Sequence, residues 1–324
     1  MKAILVDEKK AMHWGDADKP TAGADEVLIR VHATAINRAD LLQRRGNYPP
    51  PPGASPILGL ECAGEIAAIG KGVSRWKEGD RVCALMAGGG YAEYAIAPAG
   101  SVTAIPEGLS FAEAASLPEV YATAWLNLFM EAGLAPGEKV ILHAGASGVG
   151  TAAIQLCRSF GNPCFVTAGS DDKIARCVEL GASGGSNRHT GSFYDKAAEF
   201  AGTTGIGVIL DPVGGAYLAD NLRLLGLGGR LVLIGLMGGN KTDIDLAQLM
   251  MKRARIIGST LRARPVAEKA AVMSQLEEKV WPRIVSGDIK PIVDSTFPIV
   301  QAEQAHDLVA SDNTVGKVVM LVQK

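Results

Sequence analysis

The chain has 324 residues, of which 48% are hydrophobic and 20% charged, and its formal net charge is −2. This length favours two domains, and this composition is typical of a soluble globular protein. The charge argues against nucleic acid or a membrane surface as partner, and no apolar run is long enough for a membrane span or a secretion signal. Five scattered cysteines without a C-x-x-C motif indicate a reduced compartment. We therefore expect a cytoplasmic protein.

The first third of the chain is predicted to be rich in strands. Short apolar or alternating runs lie between glycines and prolines, at 27–31, 64–69, 81–85 and 91–96. The proline run after Tyr48 predicts an extended loop. Ser110 and Glu113 have the spacing of a capping box, and the helix they begin is predicted to continue through 119–128.

From about residue 119 to 262, strands and helices alternate, which predicts a parallel doubly wound sheet. The strands are expected at 140–142, 165–167, 208–211, 231–234 and 255–259, and the helices at 151–160, 173–180 and 218–225. Beyond them, 265–286 is predicted to be helical, and 289–293 and 317–322 to be strands. Because two strands are too few for a sheet, this tail is expected to return to the first domain.

A glycine-rich loop follows the strand at 140–142. Gly145, Gly148 and Gly150 stand between that apolar strand and an Ala-rich helix, with the spacing G-x-x-G-x-G. Glycines let a backbone approach a pyrophosphate, and a helix N-terminus favours the anion. The loop therefore predicts dinucleotide binding, although the spacing differs from the usual G-x-G-x-x-G.

The next strand bears on the choice between NADPH and NADH. Its tip is Gly169-Ser170, without the acid that usually bonds the ribose of NAD. Ser170, Lys173 and Arg188 are suited to a 2′-phosphate, so we predict NADPH. Asp171 keeps NADH open, because a loop one residue longer would make it the ribose ligand. The glycine-rich loops at 211–215 and 234–239 are expected to flank the nicotinamide.

Together these motifs resemble the zinc-free quinone oxidoreductases of the medium-chain dehydrogenase/reductase superfamily. The likeness runs nearly end to end, and the segments at 43–48, 167–170 and 235–239 are most similar to the branch that contains the tumour-suppressor-induced quinone oxidoreductase. It implies an α/β fold with a GroES-like β-rich catalytic domain, 1–118 completed by 263–324, and a Rossmann domain at 119–262. The active site would lie in the cleft between these domains.

The resemblance also implies the residues of the site. Asn37 would hydrogen-bond a quinone carbonyl, and Tyr48 would stack or donate a proton. The zinc ligands of zinc-dependent relatives correspond to Asn37, Leu60 and Glu119, and leucine cannot bind a metal, so no metal is expected. His143 is interpreted as structural. The predicted cofactor-binding residues are Thr123, Gly145, Ala146, Ser147, Gly148, Val149, Gly169, Ser170, Lys173, Arg188, Gly235, Leu236 and Lys317.

The predicted function is NADPH-dependent two-electron reduction of a quinone by direct hydride transfer. One alternative is reduction of the C=C bond of an α,β-unsaturated aldehyde or ketone, which depends more on a proton donor such as Tyr48. A second is a low-turnover, nucleotide-gated protein that binds RNA, for which we consider only the tight basic pairs Arg44-Arg45 and Lys252-Arg253. The resemblance further implies a homodimer, formed by edge pairing near 255–259.

Overall fold

The computed structural model describes residues 1–322, which form fifteen strands and eleven α-helices. The strands are β1 (Lys2–Val6), β2 (Met12–Asp16), β3 (Glu26–Ala35), β4 (Glu61–Ile69), β5 (Arg81–Leu85), β6 (Tyr94–Pro98), β7 (Val102–Ala104), β8 (Val140–Leu142), β9 (Cys164–Ala168), β10 (Gly184–Asn187), β11 (Ile206–Asp211), β12 (Leu225–Leu233), β13 (Arg255–Gly258), β14 (Val293–Pro298) and β15 (Lys317–Leu321). The helices are α1 (Arg38–Arg44), α2 (Phe111–Ala115), α3 (Pro118–Trp125), α4 (Gly148–Ser159), α5 (Asp171–Leu180), α6 (Tyr194–Ala201), α7 (Leu218–Leu224), α8 (Leu246–Met251), α9 (Val266–Lys279), α10 (Trp281–Val285) and α11 (Ala302–Ala310).

The chain divides into two compact units. The first comprises Met1–Ala122 and Leu261–Lys324, and the second comprises Thr123–Thr260. The first unit holds a seven-stranded sheet in the order β14-β15-β3-β4-β5-β7, with β6 paired to β3. The C-terminal strand β15 enters this sheet antiparallel to β3. Residues that are far apart in sequence, on β4 and β15, are therefore brought to one sheet, and this places the side chains described below.

The second unit is a six-stranded sheet in the order β10-β9-β8-β11-β12-β13. Each pair of neighbouring strands is parallel. Numbered from β8 along the chain, this order is 3-2-1-4-5-6, which confirms the Rossmann fold. The chain reverses direction across the sheet between β8 and β11, and the loop after β8 lies at that point, where such folds bind their ligands.

Apolar alternation and turn residues predicted most of these elements, with differences at prolines. The helix expected from Ser110 through 119–128 is interrupted, because α2 ends at Ala115 and a new helix begins at Pro118. Proline has no N–H to donate but suits the first turn of a helix. The strand predicted at 289–293 is wrong: β14 begins only at Val293, after Pro291.

The five cysteines are buried and unpaired. Burial raises the pKa of Cys177 to about 12, which leaves this thiol in its unreactive form. The cysteines therefore serve as core residues. Among residues 1–322, no helix is both long enough and apolar enough to cross a membrane.

Candidate functional site

The loop between β8 and α4 has the backbone of an anion-binding turn. Ala144 adopts a left-handed φ of 54°, which is unusual for a residue with a side chain. A Cβ on Gly145 would lie 2.6 Å from Cβ of Val166, so only glycine lets the loop pack on β9. Ser147 is the N-cap of α4, and its hydroxyl accepts the N–H of Gly150 at 3.1 Å.

The first N–H groups of α4 remain available to a ligand. Within residues 1–322, neither the N–H of Gly148 nor that of Val149 donates a hydrogen bond to the protein. Unpaired N–H groups at a helix N-terminus, together with the helix dipole, favour a phosphate. The predicted residues Gly145, Ser147, Gly148 and Val149 therefore fit a dinucleotide, and Ala146 is buried within the same loop.

At the end of β9, the side chain of Arg188 lies against the backbone of Gly169. A Cβ on Gly169 would be 3.4 Å from Nη2 of Arg188. Ser170 caps α5 and accepts the N–H of Lys173 at 3.3 Å. Asp171, the residue that would favour NADH, accepts a hydrogen bond from Nδ2 of Asn187 at 3.2 Å. Gly169, Ser170, Lys173 and Arg188 are thus grouped at one strand end.

The other predicted cofactor residues lie elsewhere in the fold. Gly235 and Leu236 follow β12, where a Cβ on Gly235 would lie 2.9 Å from the carbonyl oxygen of Pro212, and Leu236 is 54% exposed. Thr123 lies on α3 and its carbonyl accepts Nδ2 of Asn127 at 2.7 Å. Lys317 lies at the start of β15 in the first unit, and its contact with the cofactor stays a prediction.

His143, at the end of β8, belongs to a buried hydrogen-bond network. Its Nε2 lies 2.8 Å from Oδ1 of Asn221, whose Nδ2 donates to Asp211 at 3.0 Å, and its Nδ1 lies 3.1 Å from Oγ1 of Thr167. Burial lowers the pKa of His143. A neutral imidazole with both nitrogens bonded serves to hold β8, β9 and α7 together, which agrees with the structural interpretation.

A buried polar arrangement in the first unit consists of Asn37, Glu61 and Lys317, here called the polar cluster. Asn37 is the N-cap of α1, Glu61 opens β4 and Lys317 opens β15. All three are buried, with Glu61 at 0% exposure. Nζ of Lys317 lies 2.6 Å from Oδ1 of Asn37 and 2.8 Å from Oε1 of Glu61, and Nδ2 of Asn37 donates to the same Oε1 at 2.8 Å.

Asp40, one turn into α1, supports the backbone around Asn37. Its two carboxylate oxygens accept the N–H groups of Asn37 at 2.8 Å and Gly59 at 2.9 Å. Burial raises the pKa of Asp40 to about 6, although these two hydrogen bonds act in the opposite direction. Next to it, the Tyr91 hydroxyl lies 3.1 Å from Nε2 of His306, and burial raises the pKa of this phenol.

Tyr48 lies in the proline loop against Arg262. The guanidinium of Arg262 is 5.4 Å from the ring centroid of Tyr48 and donates to its carbonyl oxygen at 3.3 Å. Arg262 is held by Ala87 O at 2.8 Å and by Oε1 of Gln43 at 2.7 Å. Within residues 1–322, the Tyr48 hydroxyl makes no hydrogen bond. Burial first, and Glu119 second, raise the pKa of Tyr48.

Sequence reasoning missed Glu61 and Arg262. A single acid among apolar residues, such as Glu61, gives no sign of its buried partner until β4 and β15 share a sheet. Arg262 adjoins the predicted domain boundary, where a basic residue is usually interpreted as solvated. The basic pairs considered for RNA are partly occupied by the protein itself. Arg44 pairs with Glu303, and Nζ of Lys252 donates to the carbonyl oxygens of Leu222 and Arg223.

Comparison with known proteins assigns the family. The chain matches the alcohol dehydrogenase GroES-like domain over residues 23–107 and the zinc-binding dehydrogenase domain over residues 148–278. It is 33% identical to the quinone oxidoreductase of Rattus norvegicus over 312 residues, which cover 95% of this chain and 92% of that protein. The chain belongs to the quinone oxidoreductase family of the medium-chain dehydrogenase/reductase superfamily.

Two solved structures are similar to this chain over nearly its whole length. The quinone oxidoreductase of Escherichia coli complexed with NADPH is 25% identical with a TM-score of 0.87, over 99% of this chain and 98% of that one. The CurK enoyl reductase is 29% identical with a TM-score of 0.85, again over 99% and 98%. These likenesses confirm a GroES-like domain beside a Rossmann domain.

The zinc of the matched domain's description does not fit the residues of this chain. Leu60 is buried and has no donor atom, and the amide of Asn37 is bonded to an ammonium and a carboxylate. In the described part of the chain, no group of three or more His, Cys, Asp or Glu side chains is arranged to hold a metal ion. The cation next to Asn37 is the ammonium of Lys317.

Proposed function

We propose that this protein catalyses NADPH-dependent two-electron reduction of quinones by direct hydride transfer, without a metal. The observation that carries the cofactor assignment is the placement of Arg188 against Gly169 at the end of β9, beside Ser170. A guanidinium there binds a 2′-phosphate as a planar fork. The similarity to rat quinone oxidoreductase over 95% of the chain supports the reaction and the substrate class.

In this proposal NADPH supplies the hydride, and the protein binds, orients and excludes water. The unpaired N–H groups of Gly148 and Val149 bind the pyrophosphate. A hydrogen bond from Asn37 holds the carbonyl oxygen of the quinone, and the quinone ring stacks on Tyr48. A reduced quinone is a stabilised anion that water can protonate, so no dedicated acid is required.

A second candidate is reduction of the C=C bond of an enone. The likeness to the CurK enoyl reductase favours it, as does the Tyr48 hydroxyl, which has no partner among residues 1–322. Hydride addition to an enone leaves an enolate that must be protonated, and a phenol can donate that proton. Arg262 lies next to the same ring, and its positive charge only partly offsets the rise in the pKa of Tyr48 that burial and Glu119 cause, so the phenol keeps the proton that it would donate.

The test is oxidation of NADPH and of NADH at 340 nm, each with 1,2-naphthoquinone and with 2-hexenal. Turnover of the quinone with NADPH supports the proposal, and turnover of the enone alone supports the second candidate. Tyr48→Phe then separates the two reactions: we expect loss of enone turnover by about 10²-fold and little change with quinone. Tight NADPH binding without turnover of either substrate would refute both.

We further propose that the protein is a homodimer joined through β13. This strand is the edge of the six-stranded sheet, and among residues 1–322 it pairs with β12 alone. Exposed apolar side chains precede it in the same unit: Leu236, Met237, Ile244, Leu246, Met250 and Met251. Light scattering after gel filtration tests the mass. The N–H of Ser259 donates to the carbonyl oxygen of Leu233, so the N–H of Gly258 faces away from β12, and a side chain there would meet open space. Gly258→Pro should therefore block pairing at this edge and yield a monomer.

A further inference from the structure

The polar cluster is saturated with hydrogen bonds. The ammonium of Lys317 has three protons and three acceptors: the carbonyl oxygen of Ile36 at 2.7 Å, Oδ1 of Asn37 at 2.6 Å and Oε1 of Glu61 at 2.8 Å. The second oxygen of Glu61 accepts the N–H of Glu119 at 2.9 Å. A buried ion pair avoids a large desolvation penalty only when its remaining protons and lone pairs are bonded, as they are here.

This arrangement permits one orientation of the Asn37 amide. Its oxygen faces the ammonium of Lys317, and its nitrogen faces the carboxylate of Glu61. Rotating the amide by 180° would place N–H groups against the ammonium and an oxygen against the carboxylate, which is repulsive at both ends. One Nδ2 proton is then fixed on Glu61, whereas the other faces only Ala35 O, at a long 3.5 Å.

We propose that Glu61 and Lys317 are positioning residues for the reduction, acting through Asn37. The ammonium of Lys317 is the cation in a site whose residues do not fit zinc. By fixing the oxygen of the Asn37 amide, it leaves the second Nδ2 proton of Asn37, which is only weakly bonded to Ala35 O, to bind the substrate carbonyl. This proposal rests on the proposed function, in which Asn37 contacts the substrate. It also gives Lys317 a different role from the cofactor contact implied by resemblance.

The rival explanation is that the pair only stabilises the fold. A buried ion pair is poor evidence for that role, because neutral groups of similar shape often replace both partners without loss of stability. Removing one partner leaves an uncompensated buried charge and destabilises the protein. Stability and positioning therefore respond differently to the single and the double substitutions.

The experiment compares Glu61→Gln, Lys317→Met and the double variant with the wild type. We expect both single variants to be destabilised and the double variant to regain most of the wild-type stability in urea. Its kcat with quinone should nevertheless stay about 10- to 100-fold below wild type, because the Asn37 amide is no longer held, while the Kd of NADPH is unchanged. The matched control is the exposed pair Lys2–Asp16, replaced as K2M/D16N, for which kcat should not change.

Two results would overturn the positioning role. If the double variant regains kcat together with stability, the pair is structural only. If its Kd for NADPH rises as much as kcat falls, Lys317 is a cofactor ligand instead.

A readout that needs no turnover separates this proposal from the proposed function. Wild-type protein that reduces neither quinone nor enone refutes the proposed function alone. The side-chain amide of Asn37 is then followed by NMR after selective ¹⁵N labelling, with Asn37→Asp to assign the signal. Its protons should exchange with water at least 10-fold more slowly in the wild type than in the double variant, and equal rates would refute the positioning role.

Discussion

In the first unit, the ammonium of Lys317 has three acceptors within 2.8 Å, whereas in the second unit the first two N–H groups of α4 have none among residues 1–322. The polar cluster is therefore complete in the protein alone, and its geometry already fixes the amide of Asn37. The loop after β8 leaves these donors without a partner in the described protein, as the proposed contact with a pyrophosphate requires. A site built around a substrate carbonyl needs fixed orientation, whereas a phosphate site needs free donors.

The largest effect on stability should come from disrupting the polar cluster. Lys317→Met leaves the carboxylate of Glu61 buried without a cation, and we expect a loss of about 3–5 kcal/mol in the free energy of unfolding. Lys2→Met removes the cation of the exposed pair with Asp16 and should leave the free energy of unfolding nearly unchanged. Urea denaturation followed by circular dichroism measures both, and equal losses would contradict the assignment of a buried pair.

The loop after β8 can be disrupted by adding one methyl group. A Cβ on Gly150 would lie 2.4 Å from the carbonyl oxygen of Gly145, so Gly150→Ala must displace the loop. We expect the affinity for NADPH to fall by about 10- to 100-fold, or about 1.4–2.7 kcal/mol. Gly184→Ala on β10 is the matched control, since its Cβ would meet only Phe165 at 3.8 Å. NADPH fluorescence titration measures both, and an unaltered Kd in Gly150→Ala would exclude this loop as the pyrophosphate site.

A smaller change should reveal which nicotinamide cofactor is preferred. Arg188→Gln removes one charge from the end of β9, and we expect about 10-fold weaker binding of NADPH with no change for NADH. The control is Arg176→Gln on α5, an exposed arginine paired with Glu179. If NADH instead binds more tightly than NADPH to the wild type and Asp171→Asn abolishes that preference, the ribose-acid alternative is correct.

The sequence alone predicts the loop after β8 better than it predicts the polar cluster. The loop after β8 is local in sequence, so the glycine spacing and its flanking strand and helix predicted its place in the fold, whereas its binding of a dinucleotide stays a prediction. The polar cluster joins residues 37, 61 and 317, and only the antiparallel pairing of β15 with β3 brings the lysine to the asparagine. Local patterns cannot encode that contact. The same limit applies to Arg262, whose partners Gln43 and Ala87 come from distant segments.

The smallest predicted effect is a loss of stability at low pH, and it concerns His306, a buried base in the same unit as the polar cluster. Burial, and then the nearby Arg44 and Arg45, lower the pKa of His306 from 6.5 to about 3. The unfolded chain therefore binds a proton that the folded protein does not, and stability falls as the pH drops from about 6.5 towards 3. Asp40 acts in the opposite direction, because its pKa is raised to about 6 and the folded state binds the additional proton.

The contribution of His306 to the pH dependence of stability is separated from that of Asp40 by comparing variants. His306→Gln keeps a polar partner for the Tyr91 hydroxyl but cannot titrate, whereas Asp40 contributes equally to the variant and the wild type. Between pH 7 and pH 5.5 we expect the wild type to lose about 1 kcal/mol more stability than this variant. His13→Gln, at an exposed histidine, is the control and should follow the wild type. Urea curves at the two pH values decide the point, because identical losses in His306→Gln and the wild type would mean that His306 takes up protons equally in the folded and unfolded states.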